Sequence, residues 1–296
     1  GGNPCLLWRH GGGGVGGDLR GVWDDAGGND FWYFLQYLQN APGTGTRDVP
    51  FDVISVESAQ VTFEGGAINP PLPRSLVLLP AQVQDLRACI ASLKVLSSDI
   101  SQGVGGSFEI NPSKLILSGN SHGAVQSMLL GVQPPVYGRG HVSSFRLRSG
   151  QRALRDSSVL GVLAMQGQID CRNIGGTDAL WYGFLHGWAG CRTDNPAQWN
   201  AVPAEMKASM SVLDYIERGD VEHYRPFYLL WPNNGTHVKP YGDPSQGPLS
   251  NLHDSQQCTD LAAALRSRGL PHEKMIFEAG DWNYTWPGTA THKSVV

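Results

Sequence analysis

Long apolar runs, concentrated positive charge and metal-binding motifs are missing from this 296-residue sequence. The longest apolar runs, such as 75–80 and 159–165, fall far short of the roughly 18–20 residues that span a bilayer, so no membrane span is expected. The net charge is −4 and no basic run occurs, so we expect no nucleic-acid partner. The sequence also has no HExxH, CxxC or GxxxxGK pattern, and we therefore expect no metal and no cofactor.

Charge is scarce as well, since charged residues make up 16% of the chain against a typical value of about 25%. Hydrophobic residues make up 41%, enough for one large α/β domain, so disorder and a fibrous fold are excluded. The low charge and two Asn-x-Ser/Thr sequons, at Asn234 and Asn283, favour an exported protein, either secreted or periplasmic. Cys171 and Cys191 flank a Gly- and Trp-rich stretch, where they either close a disulfide loop or remain two buried thiols.

Strand-like and helix-like segments alternate along the chain. The strand predictions rest on short apolar runs, and the helix predictions rest mainly on apolar residues at three- and four-residue steps. Strands are predicted over 5–8, 51–56, 114–117, 159–165, 227–231 and 273–277. Helices are predicted over 31–40, 80–98, 123–130, 203–217 and 254–268. Such alternation predicts an α/β fold, with a mainly parallel sheet flanked by helices.

One interval breaks this alternation. Residues 168–225 separate two consecutive strands by nearly sixty residues, which is too long for one ordinary crossover, and the interval is rich in tryptophan. We therefore predict a cap at 168–225, inserted over the carboxyl end of the sheet. The core domain is then formed by 1–167 together with 226–296.

The strongest chemical signal is a Gly-x-Ser-x-Gly pattern, which places Ser121 between Gly119 and Gly123. It follows a predicted strand and precedes a predicted helix. A nucleophilic serine on a sharp strand-to-helix turn needs neighbours without side chains, and the helix directs its positive end at a developing oxyanion. The pattern therefore predicts Ser121 as a nucleophile, with an ordinary turn as the alternative. The side chain of His122 either contacts substrate or packs at the start of the helix.

A second glycine cluster follows the first predicted strand, where His10 precedes four consecutive glycines. Backbone N–H groups without obstructing side chains are what an oxyanion hole requires. Gly11, Gly13 and Gly16 also satisfy the GxGxxG fingerprint of dinucleotide binding, which is the competing interpretation. That fingerprint needs an acidic residue about 20 positions further on, at the end of the next strand. Here the next clear strand ends near Glu57, much further along, so dinucleotide binding is disfavoured.

Together the two motifs, in this order and about 110 residues apart, resemble the HGGG-type esterases and lipases of the α/β-hydrolase superfamily, with a feruloyl esterase or tannase-like variant open. The resemblance covers the chain from Leu6 to its end. It implies an α/β-hydrolase fold, a catalytic triad and no cofactor. It also implies that the backbone N–H groups of Gly12, Gly13 and His122 form the oxyanion hole.

The same resemblance implies that an acid and then a histidine follow the nucleophile in the chain. His292 is the one histidine beyond the last predicted strand, so it is the predicted base, although it lies unusually far from that strand. For the acid, Asp243 is favoured because it falls in a loop, whereas Asp254 falls where a helix N-cap belongs. Asp170 is a third candidate, after an earlier strand.

The predicted reaction is hydrolysis of a small carboxylic ester through an acyl-enzyme, with short-chain or aryl esters favoured by the low charge and the aromatic residues. Trp181, Trp188 and Trp286 are the candidate substrate contacts, and packing within the cap is the simpler alternative for the first two. A lipase and a peptidase remain open within the hydrolase class. A non-catalytic binding protein with the hydrolase fold is the alternative from another class.

Overall fold

A six-stranded parallel sheet organises the chain. The computed structural model describes residues 4–11, 52–56, 82–90, 93, 111, 113–132, 159–173, 200–233 and 254–278. The strands are β1 Cys5–Arg9, β2 Asp52–Ser55, β3 Leu115–Asn120, β4 Val159–Met165, β5 Phe227–Asn233 and β6 His272–Glu278. They lie in the order β2-β1-β3-β4-β5-β6, and all neighbours are parallel. The predicted α/β class with a parallel sheet is therefore confirmed.

Helices are described in every connection between consecutive strands except that between β1 and β2, most of which lies outside the described residues, and such crossovers are what a parallel sheet requires. They are α1 82–90, α2 His122–Val132, α3 Ala204–Ser209, α4 Val212–Arg218 and α5 Ser255–Ser267. A short 3-10 helix, Cys171–Asn173, follows β4. The predicted helix 31–40 lies outside the described residues.

The sequence explains where α5 begins and ends. The Asp254 carboxylate accepts a hydrogen bond of 2.8 Å from the backbone N–H of Gln256, which makes Asp254 the N-cap. After the helix, Gly269 adopts a φ of 65°, a left-handed conformation that glycine reaches without a Cβ penalty. The helix-cap interpretation of Asp254 is thus the one that the structure supports.

The register of the central strands brings their carboxyl ends to one level. Arg9 at the end of β1 is opposite Gly119 in β3, and Asn120 at the end of β3 is opposite Met165 in β4. The residues that directly follow these three strands are therefore neighbours in space. This edge of the sheet is where ligands bind in parallel α/β folds.

A single hydrophobic core joins the sheet to its helices. All eleven residues of α2 are buried, and α2 contacts β1, β3 and β4. Helix α4 packs on α2 and on α5, and it adds Val212, Leu213 and Ile216 to the core. The amphipathic pattern of α1 is also realised, because Val83, Leu86 and Ile90 belong to the same core.

The helix predicted over 203–217 is divided in the structure, which corrects that prediction. Residues Met210 and Ser211 separate α3 from α4, and Ser211 has an extended backbone with φ −108°. The Ser211 hydroxyl donates to the carbonyl oxygen of Lys207 at 2.7 Å and accepts from the N–H of Cys171, also at 2.7 Å. A serine that bonds backbone groups in this way competes with helix continuation.

The predicted cap, 168–225, is described in part. Its last helix, α4, is a layer of the core rather than a separate unit, since it contacts both α2 and α5. Residues 174–199 lie outside the described residues, so the cap and the domain boundaries stay predictions. In the part of the chain that the structure describes, no helix is long and apolar enough to cross a membrane.

Candidate active site

Ser121 occupies a strained turn between β3 and α2. Its φ is 52°, a left-handed value that is uncommon for a residue with a side chain. Its N–H donates to the carbonyl oxygen of Met165 at 2.9 Å, and its own carbonyl oxygen accepts from the N–H of Val125 at 3.1 Å. The strained backbone is therefore fixed from both sides, by the neighbouring strand and by the first turn of the helix. This is the geometry that the Gly-x-Ser-x-Gly pattern predicts.

The two glycines of that pattern are required by close backbone contact. A Cβ atom on Gly119 would lie 2.6 Å from the carbonyl oxygen of Gly123 and 2.7 Å from that of Arg9. A Cβ atom on Gly123 would lie 2.6 Å from the carbonyl oxygen of His10. Any side chain at either position would force backbone apart. The start of α2 is thus in direct contact with the end of β1.

The structure also brings the beginning of the glycine loop beside the serine. A Cβ atom on Gly11 would lie 3.3 Å from both the Cβ of Ser121 and the carbonyl oxygen of Asn120. Gly12 and Gly13 lie outside the described residues. His122 is the first residue of α2, so its backbone N–H has no acceptor within the helix. The oxyanion hole formed by Gly12, Gly13 and His122 stays a prediction.

A buried chain of polar side chains lies under the turn. Gln82, on α1, is fully buried, and its Oε1 atom accepts a hydrogen bond of 2.5 Å from Nε2 of His122. The same Oε1 accepts a second bond of 2.9 Å from Nε2 of Gln126. The Oε1 of Gln126 accepts in turn from Nε of the buried Arg9 at 3.0 Å. Side chains from β1, α1 and α2 are thereby joined directly behind the serine.

The same chain reaches the glycine loop through His10. Arg9 donates from its terminal guanidinium nitrogen to Nε2 of His10, while Nδ1 of His10 donates to the carbonyl oxygen of Gly11 at 2.7 Å. Because arginine can only donate, Nε2 is the acceptor and Nδ1 carries the proton. The first peptide of the loop is therefore tied to the buried guanidinium.

The His122 side chain packs inside the protein. It has no exposed surface, and burial lowers its pKa well below 6.5, with the charge of Arg9 lowering it further. The imidazole is consequently neutral, and Nε2 carries the proton that is donated to Gln82. Of the two predicted roles for this side chain, packing at the helix start is the one that the structure supports.

Asn120 and Gln166 form an amide pair beside Ser121. The Nε2 of Gln166 donates to Oδ1 of Asn120 at 2.9 Å, which bridges the carboxyl ends of β4 and β3. Gln166 also has a left-handed backbone, with φ 45°. The sequence carries no signal for this residue, because the Met-Gln-Gly segment contains no motif and local preference would place a left-handed conformation at Gly167 instead.

Neither the predicted acid nor the predicted base lies in the described part of the chain. Asp243 and His292 lie outside the described residues, as do Trp181, Trp188 and Trp286. The third acid candidate, Asp170, is buried and bonded to Arg172, whose Nε lies 2.8 Å from Oδ1. Burial disfavours the charge of Arg172, but hydrogen bonds to Asp170 and Glu217 outweigh it and raise the pKa of the guanidinium.

Among the described residues, no three His, Cys, Asp or Glu side chains are grouped so that they could hold a metal ion. Cys171 is buried and is a free thiol, and its Sγ donates to the carbonyl oxygen of Met210 at 3.4 Å. Of the two predictions for this residue, a disulfide or a buried thiol, the structure supports the thiol. Cys191 lies outside the described residues.

Solved hydrolases share this fold along nearly the whole chain. An acetyl ester-xyloside bifunctional hydrolase from Caldicellulosiruptor lactoaceticus matches with a TM-score of 0.52 at 14% identity, over 94% of this chain and 73% of that one. A thermophilic esterase from Thermogutta terrifontis with bound propionate matches with 0.53 at 12% identity, over 99% and 79%. Esterase 2 of the same species, phosphonylated by sarin, matches with 0.54 at 11% identity, over 99% and 80%.

No protein-family model matches the chain, and no curated protein matches its sequence. At identities of 11–14% these structural matches show the fold alone. With the six parallel strands and their connecting helices, they establish that the chain has an α/β-hydrolase fold.

Proposed function

We propose that the chain is a serine hydrolase that cleaves carboxylic esters through an acyl-enzyme intermediate. The observation that carries this proposal is the backbone of Ser121, which is held at φ 52° between β3 and α2 in an α/β-hydrolase fold. Strained residues of this kind cluster at active sites. The structural neighbours support the same activity, since they include esterases, and one of those was phosphonylated by sarin.

In the proposed mechanism, Ser121 Oγ attacks the ester carbonyl carbon and forms a bond to it. His292 accepts the serine proton and delivers it to the departing alcohol, and Asp243 orients the imidazole. The N–H groups of Gly12, Gly13 and His122 stabilise the tetrahedral oxyanion, with help from the positive end of α2. Water then attacks the acyl-enzyme with the same groups, and the carboxylic acid is released.

Short-chain or aryl esters are the proposed substrates. The support comes from the sequence, where the low charge and the candidate contacts Trp181, Trp188 and Trp286 favour an apolar binding surface. A lipase and a peptidase use the same nucleophile chemistry. Comparing 4-nitrophenyl esters of increasing chain length with a peptide anilide separates these three possibilities.

Hydrolysis of 4-nitrophenyl acetate tests the proposal. We expect Ser121→Ala to lower kcat by at least about 10³-fold, because the nucleophile is lost. Ser118→Ala is the matched control, three residues earlier on β3. The Ser118 hydroxyl is buried and has no hydrogen-bond partner among the described residues, so its removal is expected to leave activity and stability nearly unchanged. Equal activity in Ser121→Ala and the wild type would instead indicate a non-catalytic binding protein.

A further inference from the structure

Strained backbone is concentrated at one point of the described structure. Ser121 and Gln166, with φ 52° and 45°, are the two non-glycine residues with positive φ in the described ranges. They follow neighbouring strands, and the Ser121 N–H bonds the carbonyl oxygen of Met165, the residue before Gln166. The Gln166 N–H in turn bonds the carbonyl oxygen of Leu230 on β5 at 2.9 Å. The strain at Gln166 is therefore imposed beside the proposed nucleophile.

Glycine would be the more stable residue for the backbone conformation of Gln166. Glycine adopts positive φ without a steric penalty, whereas a glutamine there lowers stability. The next residue, Gly167, must be glycine for a different reason. A Cβ atom there would lie 2.8 Å from the Ala124 Cβ, so packing leaves no room for a side chain. The amide of Gln166 is thus kept at a position where glycine would be more stable. Such an outlier indicates a role for the side chain.

The amide pair has hydrogen-bonding capacity left over. One bond joins Gln166 Nε2 to Asn120 Oδ1, and no described residue pairs with the other two groups, Gln166 Oε1 and Asn120 Nδ2. Asn120 is half-buried, and Gln166 keeps 7% of its surface exposed. The pair therefore presents one carbonyl oxygen and one amide nitrogen that are without a partner among the described residues, next to Ser121. A hydroxyl group, which both donates and accepts, satisfies the two together.

We propose that the Asn120–Gln166 amide pair is a polar subsite that binds a hydroxyl group of the ester substrate. Gln166 Oε1 accepts from the substrate hydroxyl, and Asn120 Nδ2 donates to it. The hydroxyl belongs to the acyl or the alcohol part, close to the ester carbonyl, because Asn120 directly precedes Ser121. This inference rests on the proposed esterase function, and it makes Gln166 a specificity-determining residue of the same site.

The test compares three esters: ethyl butyrate, ethyl 3-hydroxybutyrate with a hydroxyl on the acyl side, and 2-hydroxyethyl butyrate with one on the alcohol side. Titration of the released acid gives kcat/KM for each ester. We expect the wild type to favour one hydroxylated ester, and Gln166→Gly to lower that preference about fivefold, the effect of one neutral hydrogen bond. The kcat/KM for ethyl butyrate, which carries no hydroxyl group, is the reference against which that preference is expressed. The Tm of this variant should equal or exceed that of the wild type, because glycine relieves the strain.

Gln166→Asn is the second variant, since asparagine tolerates positive φ and its shorter amide cannot span the same groups. Gln256→Asn is the control, because the Gln256 amide bonds Asp260 on α5 and should leave all ratios unchanged. A wild type without preference for either hydroxylated ester, or unchanged ratios in both Gln166 variants, would overturn the subsite. Loss of the proposed function is recognised separately, as equal hydrolysis of all three esters by Ser121→Ala and the wild type.

Discussion

Gly123 and His10 meet backbone to backbone, and a Cβ atom on Gly123 would lie 2.6 Å from the carbonyl oxygen of His10. This contact seats the first turn of α2 against the chain that leaves β1. The nucleophile turn and the end of β1 are therefore held together by backbone packing, where no flexible side chain can move aside to make room.

We expect Gly123→Ala to lower the free energy of unfolding by about 3 kcal/mol or more, because the methyl group overlaps backbone atoms that cannot move aside. Hydrolysis of 4-nitrophenyl acetate should be lost with it. Gly269→Ala is the control, since nothing lies within 4 Å of its Cβ position and only its φ of 65° is unfavourable. That variant should lose about 1 kcal/mol and keep its activity. Urea unfolding and the ester assay measure both; similar losses in the two variants would contradict the contact.

Gln82 is expected to be as important to stability as a core hydrophobic residue. Its Oε1 accepts from both His122 and Gln126, so Gln82→Leu leaves two buried donors without their acceptor. We expect a loss of about 3 kcal/mol in the free energy of unfolding, from roughly 1–3 kcal/mol for each donor. Gln82→Glu keeps an acceptor oxygen for both donors and should lose clearly less near pH 6. Equal stability of the leucine variant and the wild type in urea unfolding would rule out the network.

The buried imidazole of His122 predicts an acid-sensitive term in stability. Its pKa in the folded protein lies well below 6.5, chiefly because of burial, while in the unfolded chain it returns to its ordinary value. Below about pH 6.5 the unfolded state therefore binds more protons at this site, and the free energy of unfolding falls by up to about 1.4 kcal/mol for each pH unit. Above that pH the contribution is fully present.

His122→Gln removes this titration and keeps a side-chain donor for Gln82. Urea unfolding at about pH 7.5, 6 and 5 should therefore show a shallower loss of stability on acidification in the variant than in the wild type. Other groups titrate equally in both proteins, so the difference between the two slopes reports His122. Identical slopes would mean that the imidazole is not buried in its neutral form.

Two of the three acid candidates, Asp243 and Asp254, are distinguished by a matched pair of substitutions. Asp243→Asn should lower kcat by about 10⁴-fold, because an amide cannot orient and charge-balance the protonated imidazole of His292. Asp254→Asn should leave kcat unchanged, because asparagine is an equally good N-cap and can accept the hydrogen bond from the Gln256 N–H. Steady-state kinetics on 4-nitrophenyl acetate decides. The reverse result would move the acid to Asp254.

Strands, helices and turns could be predicted from the sequence wherever the residues that determine them are close together in the chain. The apolar run 159–165 gives β4 at Val159–Met165, and the pattern that begins with an N-cap aspartate gives α5 at Ser255–Ser267. The Ser121 turn could be predicted for the same reason, because its two glycines and the flanking strand and helix signals lie close together in the sequence. In these places the local propensity and the tertiary fold agree.

The rest of the site depends on contacts between distant parts of the chain. Gln82 lies 40 residues before His122, and nothing in the pattern of α1 distinguishes it from a surface glutamine. The break at Ser211 likewise depends on the N–H of Cys171, which lies 40 residues away in sequence. The positive φ of Gln166 could not be predicted for a different reason. Local preference assigns positive φ to glycine, and the fold overrides that preference.

The central claim is that Ser121 is a nucleophile, and covalent labelling tests it most directly. A fluorophosphonate is incubated with the protein, and the modified residue is identified by peptide mass spectrometry. We expect a bond from Ser121 Oγ to phosphorus with release of fluoride, no adduct in Ser121→Ala, and unchanged labelling in Ser118→Ala. Labelling should also slow markedly in His292→Ala, which lacks the proposed base. A wild-type protein that stays unlabelled, or that carries the adduct on another residue, would contradict the account.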